Sequence, residues 1–284
     1  MRKADKITVY AATKGKGVRA ILGEIIEELP QAHQLGIRLF KRNVKALYRK
    51  SMLGFAWALL PPLVTAMLWV FLYHNGVIQP HVGDMPYGIF VVCGTLLWQI
   101  FSEGVFMPLR VVQDNQSILV KINIPREGLL LSGIYEMLLN MVIRALVLTL
   151  LLLLFGGSLL HMGILWAMIS MIVIAVAGFS CGLLLTPLGL LYQDIVRILN
   201  IGMPFLMYLT PVVYAVPSSG TLGSLMRFNP LAPLITTGRQ WLVGIPPTTL
   251  GAFWISTAFF LALFFFGLLL YRRSLQRIIE RMGA

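Results

Sequence analysis

Apolar residues run almost unbroken over six stretches of the chain, at 55–73, 87–107, 128–155, 164–191, 198–213 and 250–271. Each is near or above the ~20 residues that a helix needs to cross about 30 Å of hydrocarbon, although the fifth is short and must borrow flanking residues. Strands of a membrane barrel alternate polar and apolar over about 10 residues. Residues 146–155 are instead apolar at nearly every position. The pattern predicts an all-α polytopic membrane protein with six transmembrane helices.

Ahead of the first span the pattern becomes amphipathic. Ile37, Phe40, Val44, Leu47 and Tyr48 recur at helical spacing, while Arg38, Lys41, Arg42, Lys45 and Arg49 gather on the adjoining face. Such a helix lies in the membrane interface, apolar face in the acyl boundary and basic face toward anionic head groups. Plain anchoring accounts for much of this pattern. A sharper expectation is that Arg38, Lys41, Arg42, Lys45, Tyr48 and Arg49 guard lateral access for a lipid-linked anionic substrate. Residues 1–30, basic and then acidic at Glu24, Glu27 and Glu28, read as a cytoplasmic tail with no assigned chemistry. The expected organisation is a tail at 1–30, an interface helix at 31–50 and a six-span domain at 51–284.

Three connections carry information. The segment 111–127 mixes Asp114, Asn115 and Lys121 with Ile118, Leu119 and Val120 and closes on Pro125, Arg126 and Glu127. Asp114 or Asn115 is expected to cap a short helix running to about Asn123, with Pro125 restarting the chain into the third span. A short amphipathic helix between spans suits docking into a groove on a soluble partner, and the segment is long for a mere connector. Between the fourth and fifth spans, Tyr192, Gln193, Asp194 and Arg197 form a polar break in which Asp194 is expected to cap the fifth span. The segment 214–249 is too long for a turn and too apolar for a free loop. Its prolines and glycines break it into two expected short helices, near 221–228 and 232–243, that dip back into the outer leaflet as a candidate outer gate.

Composition agrees with a bilayer as solvent: of 284 residues 58% are hydrophobic and 12% charged, and the mean hydropathy is +0.82. Soluble domains are near 45–50% apolar and about 25% charged. The net charge of +12 raises the alternative of a nucleic-acid-binding surface, which the positions of the basic residues resolve. With both termini cytoplasmic, twenty of the 23 Lys and Arg fall on the inner side. The positive-inside rule predicts that asymmetry for an even number of spans, and no nucleic-acid partner is expected. Cys93 and Cys181 fall inside spans as small apolar side chains, implying no disulfide framework. The first 50 residues lack the apolar core of a signal peptide, so the first span is expected to remain in the mature protein.

Ionisable residues within the spans are Glu103, Glu136 and Arg144. Charge inside a membrane usually faces the bundle interior or water, which makes each a candidate site. Glu103 lies near the inner end of the second span. Glu136 and Arg144 are about 12 Å apart in rise on one helix, too far for a direct pair. Arg144 is expected to pair with an acidic residue of another span in preference to a substrate phosphate. Aromatic residues near the outer ends, Trp69, Tyr73, Tyr87 and Tyr214, fit an interfacial belt. Trp57, Trp98, Phe101 and Tyr208 are placed to line a passage, where ring faces stack on sugars without demanding one hydroxyl pattern; a lipid-facing role competes for each. The channel-lining candidates are thus Trp57, Trp98, Phe101, Tyr208, Tyr214, Glu103 and Arg144.

No GxxxxGK[ST] phosphate loop, HExxH, CxxC or GxSxG occurs, and the spans hold no paired aspartates. Any ATP and Mg belong to another chain, and no cofactor or metal is expected on this one.

The segment Tyr48-Arg49-Lys50-Ser51-Met52-Leu53-Gly54, continuing through Trp57 to Pro61, resembles the approach to the first span in permease subunits of ABC exporters for polysaccharides, the O-antigen, capsule and teichoic acid group. The resemblance resumes at Leu97-Trp98 with Phe101, at Asn115, Leu119, Val120, Lys121, Ile124, Pro125, Arg126 and Glu127, at Asp194, at Thr210-Pro211-Val212-Val213-Tyr214, and at Asn229-Pro230 with Arg239. Gln193-Asp194 and Thr210-Pro211 stand where family members often carry Arg-Asp and Ser-Pro. The resemblance implies a half-channel in a bacterial inner membrane: two copies of the chain, each docked through 111–127 on a subunit of an ATPase dimer, pass a lipid-linked polysaccharide outward, with O-antigen the leading substrate. Asp114, Asn115, Leu119, Lys121, Pro125, Arg126 and Glu127 then form the ATPase-coupling loop. Two other readings remain, a permease of the same architecture exporting a drug or small amphiphile, and a membrane glycosyltransferase or acyltransferase; the absence of an acid or base cluster weighs against the last.

Overall fold

The computed structural model describes residues 18–49, 60, 64, 67, 68, 71–76, 85–116, 119, 125–154, 161–216 and 220–282. Among them the elements are α1 (Val18–Arg49), α2 (Tyr87–Asp114), α3 (Glu127–Leu154), α4 (Gly163–Leu191), α5 (Gln193–Tyr208), α6 (Thr221–Phe228), α7 (Leu231–Val243) and α8 (Leu250–Met282). No strand occurs among the described residues, and the chain is a helical, multi-pass membrane protein. Four helices, α2, α3, α4 and α8, are long and apolar enough to span a membrane. Most of the predicted first span, with Trp57, lies outside the described residues.

The expected fifth span is a helix of 16 residues, starting earlier than the sequence pattern placed it. Tyr192, with extended φ −129° and ψ 111°, is the single non-helical residue between α4 and α5, so the expected polar break shrinks to one position. Asp194 does not cap α5 through its side chain. It sits in the first turn, where its carboxylate faces the positive end of the helix dipole, and pairs with Arg197 at 3.3 Å. The expected helices near 221–228 and 232–243 coincide with α6 and α7. Gly244, with φ 81°, ends α7 in the left-handed conformation, and the Ile245 amide reaches back to the Gln240 carbonyl at 2.9 Å.

The boundary expected at residue 30 falls inside α1, which continues through Pro30. Proline removes one backbone donor, and here the loss falls in an exposed stretch containing Ile26, Glu27, Leu29 and Gln31. The face that α1 buries is also rotated from the expected one. Ala32, Gly36 and Leu39 turn inward, while Ile37, Phe40 and Val44 are half-buried. Gly36 and Gly128 allow this contact, since a Cβ on Gly36 would lie 2.9 Å from the Leu131 Cβ.

At the centre of the bundle stands α2, enclosed by α3, α4 and α7 and buried almost continuously from Tyr87 to Val112. Its contact with α4 is backbone on backbone. Gly178 and Gly182 of α4 form a small-xxx-small pair facing Gly104 of α2. A Cβ on Gly182 would lie 2.5 Å from the Val105 carbonyl oxygen, one on Gly104 would lie 2.8 Å from the Phe179 nitrogen, and one on Gly178 would collide with the Phe101 carbonyl. Outward, α3 exposes Leu138, Val142, Leu146, Leu150 and Leu153 at helical spacing, an apolar stripe that the described residues of this chain leave uncovered.

Gly178→Val is therefore expected to force α2 and α4 apart. Size-exclusion profiles in detergent will show loss of the monodisperse species, while Gly251→Val, in open space on α8, leaves the profile unchanged.

Candidate functional site

At the end of the bundle where α2 finishes, charged side chains from four helices meet. Asn115, fully buried, closes α2: its amide bonds the Val112 carbonyl and its side-chain nitrogen bonds the Val111 carbonyl at 2.8 Å. Its own carbonyl accepts from the Leu119 amide at 3.1 Å, while its side chain is engaged by Val111 and Arg42 and not by a following helix start. Lys121, with most of the expected short helix, lies outside the described residues. Arg42 of α1 donates to the Asn115 side-chain oxygen at 2.8 Å. One position on, Asn43 donates to Glu136 of α3 at 2.7 Å, and the other Glu136 oxygen pairs with Arg110 of α2 at 3.2 Å.

The far end of the same connection is tied as well. Glu127, in the first turn of α3, lies 3.1 Å from Nη1 of Arg272 on α8, an ion pair without hydrogen-bond alignment. The second Arg272 nitrogen faces Glu28 at 3.1 Å and Glu24 at 3.5 Å, both on α1. Burial raises the Glu28 carboxyl above its ordinary range against the lowering pull of Arg272. Burial likewise lowers the half-buried Arg126 guanidinium, opposed by Glu127. Arg272, one of the basic residues of the side expected to be cytoplasmic, is 6% exposed among three carboxylates. Glu24 and Glu28 stand four residues apart on one helix face, a signal hidden by ending the tail at residue 30.

Within the spans, Arg144 of α3 pairs with Glu103 of α2, the inter-span ion pair expected for it, and Asn140 donates to the other Glu103 oxygen. Arg144 is buried in this contact, and Glu103 and Asn140 are half-buried. Trp98 and Phe101 differ from the lining expectation: both are buried in the chain's own core, rings 5.3 Å apart. Tyr208 is exposed at the end of α5 and Tyr214 half-buried beside it. On α1, Arg38, Lys41 and Lys45 are exposed; the Tyr48 and Arg49 side chains lie outside the described residues.

The opposite end of the bundle gathers residues from separate parts of the sequence. Past α5 the chain turns, and its carbonyls lose their helical donors. Tyr214 hydroxyl donates to the Tyr208 carbonyl, Asn229 to that of Leu209 at 3.1 Å, and Tyr87 to that of Val213 at 3.1 Å. One nitrogen of Arg239, on α7, donates to both Pro211 and Val212 carbonyls at 2.8 Å each. Its guanidinium carbon sits 3.6 Å above the Phe90 ring, a contact of about 2 kcal/mol when desolvated. The Arg239 side chain needs the space left by Gly94, where any Cβ would collide with it. Asn229 also accepts from the Leu231 amide at 2.9 Å, starting α7.

No family model matches the chain. Among curated proteins it is 26% identical over 204 residues to the O-antigen export system permease protein RfbA of Klebsiella pneumoniae, covering 70% of this chain and 76% of that one. It is 27% identical over 220 residues to the protein of the same description from Myxococcus xanthus, covering 75% and 82%. These relatives agree with the resemblance carried by the sequence motifs. Both relatives are described as permease proteins of an export system.

Removing one member of a buried ion pair costs about 3–5 kcal/mol, because the other is left uncompensated. Arg144→Ala is accordingly expected to lower the thermal midpoint in detergent markedly, and the exchange Glu103→Arg with Arg144→Glu to recover most of the loss. For Arg239→Met, each orphaned carbonyl costs about 1–3 kcal/mol. Its midpoint is expected to fall well below that of Arg273→Met, a change at an exposed position.

Proposed function

We propose that this chain is the membrane-spanning subunit of an ATP-driven ABC exporter that carries a lipid-linked, O-antigen-like polysaccharide from the cytoplasm to the outer face of the bacterial inner membrane, a step in lipopolysaccharide biosynthesis. The observation that carries the reading is the similarity to O-antigen export permeases over 70–75% of the chain. In this reading six spans cross the membrane with both termini cytoplasmic: α2, α3, α4 and α8, the segment at 55–73, and α5 with the turn that follows. At about 1.5 Å per residue α5 alone covers about 24 Å, so it needs that turn to approach the ~30 Å of hydrocarbon. Its carbonyls are served by side chains, the condition under which irregular backbone is tolerated at membrane depth. On the outer side α6 and α7 re-enter the leaflet, and α7 is wrapped by protein as such a segment must be.

Two copies form the conduit. Each docks on an ATPase subunit through 111–127, where Asp114 is exposed and Asn115 and Leu119 are buried. ATP and Mg reside on that partner. The exposed Arg38, Lys41 and Lys45 of α1 offer a cationic face to membrane lipids and to the phosphate of a lipid-linked glycan.

Deletion of the gene in its own host is expected to strand lipid-linked glycan in the cytoplasm, measured by radiolabelling and lipid extraction. A host that makes such a polymer and accumulates none without this chain overturns the reading. Replacing Lys41 and Lys45 by Gln is expected to reduce export several-fold with assembly intact, scored by surface polymer against membrane content of the protein.

A further inference from the structure

Between residues 94 and 112 the central helix α2 is buried on every side but one. The residues left partly open there are Gln99, Ser102, Glu103, Phe106 and Arg110, which recur at helical spacing and share one stripe about 100° wide. All but Phe106 are polar. The other polar side chain of that stretch, Thr95, is buried, and its hydroxyl donates to the Val91 carbonyl at 2.8 Å. Hydrocarbon sorts side chains the opposite way, and the open face of α3, with Leu138, Val142 and Leu146, follows that order.

Both charges on the stripe are balanced by charges of α3. Glu103 accepts from Arg144 and Asn140, and Arg110 pairs with Glu136 at 3.2 Å. Gln99 and Ser102 make no side-chain hydrogen bond among the described residues. Both are half-buried, and a polar group at membrane depth is costly unless water or a polar cargo meets it.

We propose that this stripe is the cargo-facing wall of the chain, a track of about 17 Å on which the hydroxyls of a passing glycan exchange hydrogen bonds. The inference rests on the transport reading above. A sugar hydroxyl both donates and accepts, and the stripe offers both roles through the Gln99 amide, the Ser102 hydroxyl, the Glu103 carboxylate and the Arg110 guanidinium. Phe106 adds a ring face for the apolar side of a sugar. Balanced charge matters as much as polarity, because passage requires sites weak enough to leave and an unpaired charge would hold an anionic or hydroxyl-rich polymer in one place. A drug or small amphiphile finds little apolar surface on this wall. Toward the Tyr87 end the open positions of α2 are Val92 and Gly88, so the hydrogen-bonding track stops short of the outer side.

The test uses the chain in complex with its ATPase, in inverted inner-membrane vesicles from a host that makes the polymer and from one that does not. Cys181 is replaced by Ala, and Cys93, 1% exposed, stays as an unlabelled reference. One further cysteine is introduced by Gln99→Cys, by Ser102→Cys or, on the apolar stripe of α3, by Leu146→Cys. A membrane-impermeant cationic thiosulfonate is then added with ATP. It reacts with thiolates, which form in water and not in hydrocarbon. In polymer-free vesicles Gln99→Cys and Ser102→Cys are expected to label at least tenfold faster than Leu146→Cys, and in polymer-making vesicles both are expected to slow at least threefold. Ser102→Cys changes one atom and serves if Gln99→Cys does not assemble. Labelling no faster than in Leu146→Cys shows the stripe covered, by a second copy or by other protein, and overturns the inference. A rate that the polymer leaves unchanged overturns it as well. If the native complex moves no polymer into the vesicle lumen with ATP, the transport reading is overturned and the inference falls with it.

Discussion

Two helices immersed in hydrocarbon gain little by hiding apolar side chains from each other, since lipid tails are as apolar as leucine. What draws them together is the number of atoms brought into close contact, and this grows steeply as backbones approach. The contact between α2 and α4 is built on that constraint. Gly104, Gly178 and Gly182 remove the side chains that would hold the axes apart, and the carbonyls of Phe101 and Val105 occupy the vacated space. Four further helices lean on this pair, α3 and α7 on α2 and α5, α7 and α8 on α4, while α1 packs along α3.

Around that apolar seam the polar interactions are distributed by depth. Arg144 and Asn140 each donate to one oxygen of Glu103 inside the bundle. Toward one end the charges multiply and link α1, α2, α3 and α8; toward the other, neutral donors and a single guanidinium serve the carbonyls of a broken helix end. The two ends therefore respond differently to their surroundings. Ion pairs that are partly solvated weaken with salt, whereas the buried contacts of Arg239 with the Pro211 and Val212 carbonyls are screened much less.

Much of this was legible in the sequence because hydropathy is a long-range average. The long helices, and the positions of α6 and α7 between Pro and Gly breaks, follow from it directly. The Arg144 pairing followed from the cost of an isolated charge in hydrocarbon. What stayed hidden depends on which side of a helix turns inward. The residues of α1 that pack are Ala32, Gly36 and Leu39, too small or too few to stand out against the larger Ile37, Phe40 and Val44. Trp98 and Phe101 carry the composition of a sugar-stacking surface, yet they fill the core, since aromatic rings serve both ends equally well. The glycine seam was hidden for the opposite reason: its signal is the absence of side chains.

The link between α4 and α5 is one residue long. Only Tyr192 departs from helical geometry there, and only Met203 is buried along α5. The two torsions of one residue thus act as a pivot, with a stiff arm of about 24 Å beyond it. Each degree turned at Tyr192 sweeps the Tyr208 end through about 0.4 Å, by the same helical rise. That end is held by Asn229 at the threshold of α7. Geometrically, a few degrees of rotation at that one residue would displace the opposite rim of the bundle by about an ångström.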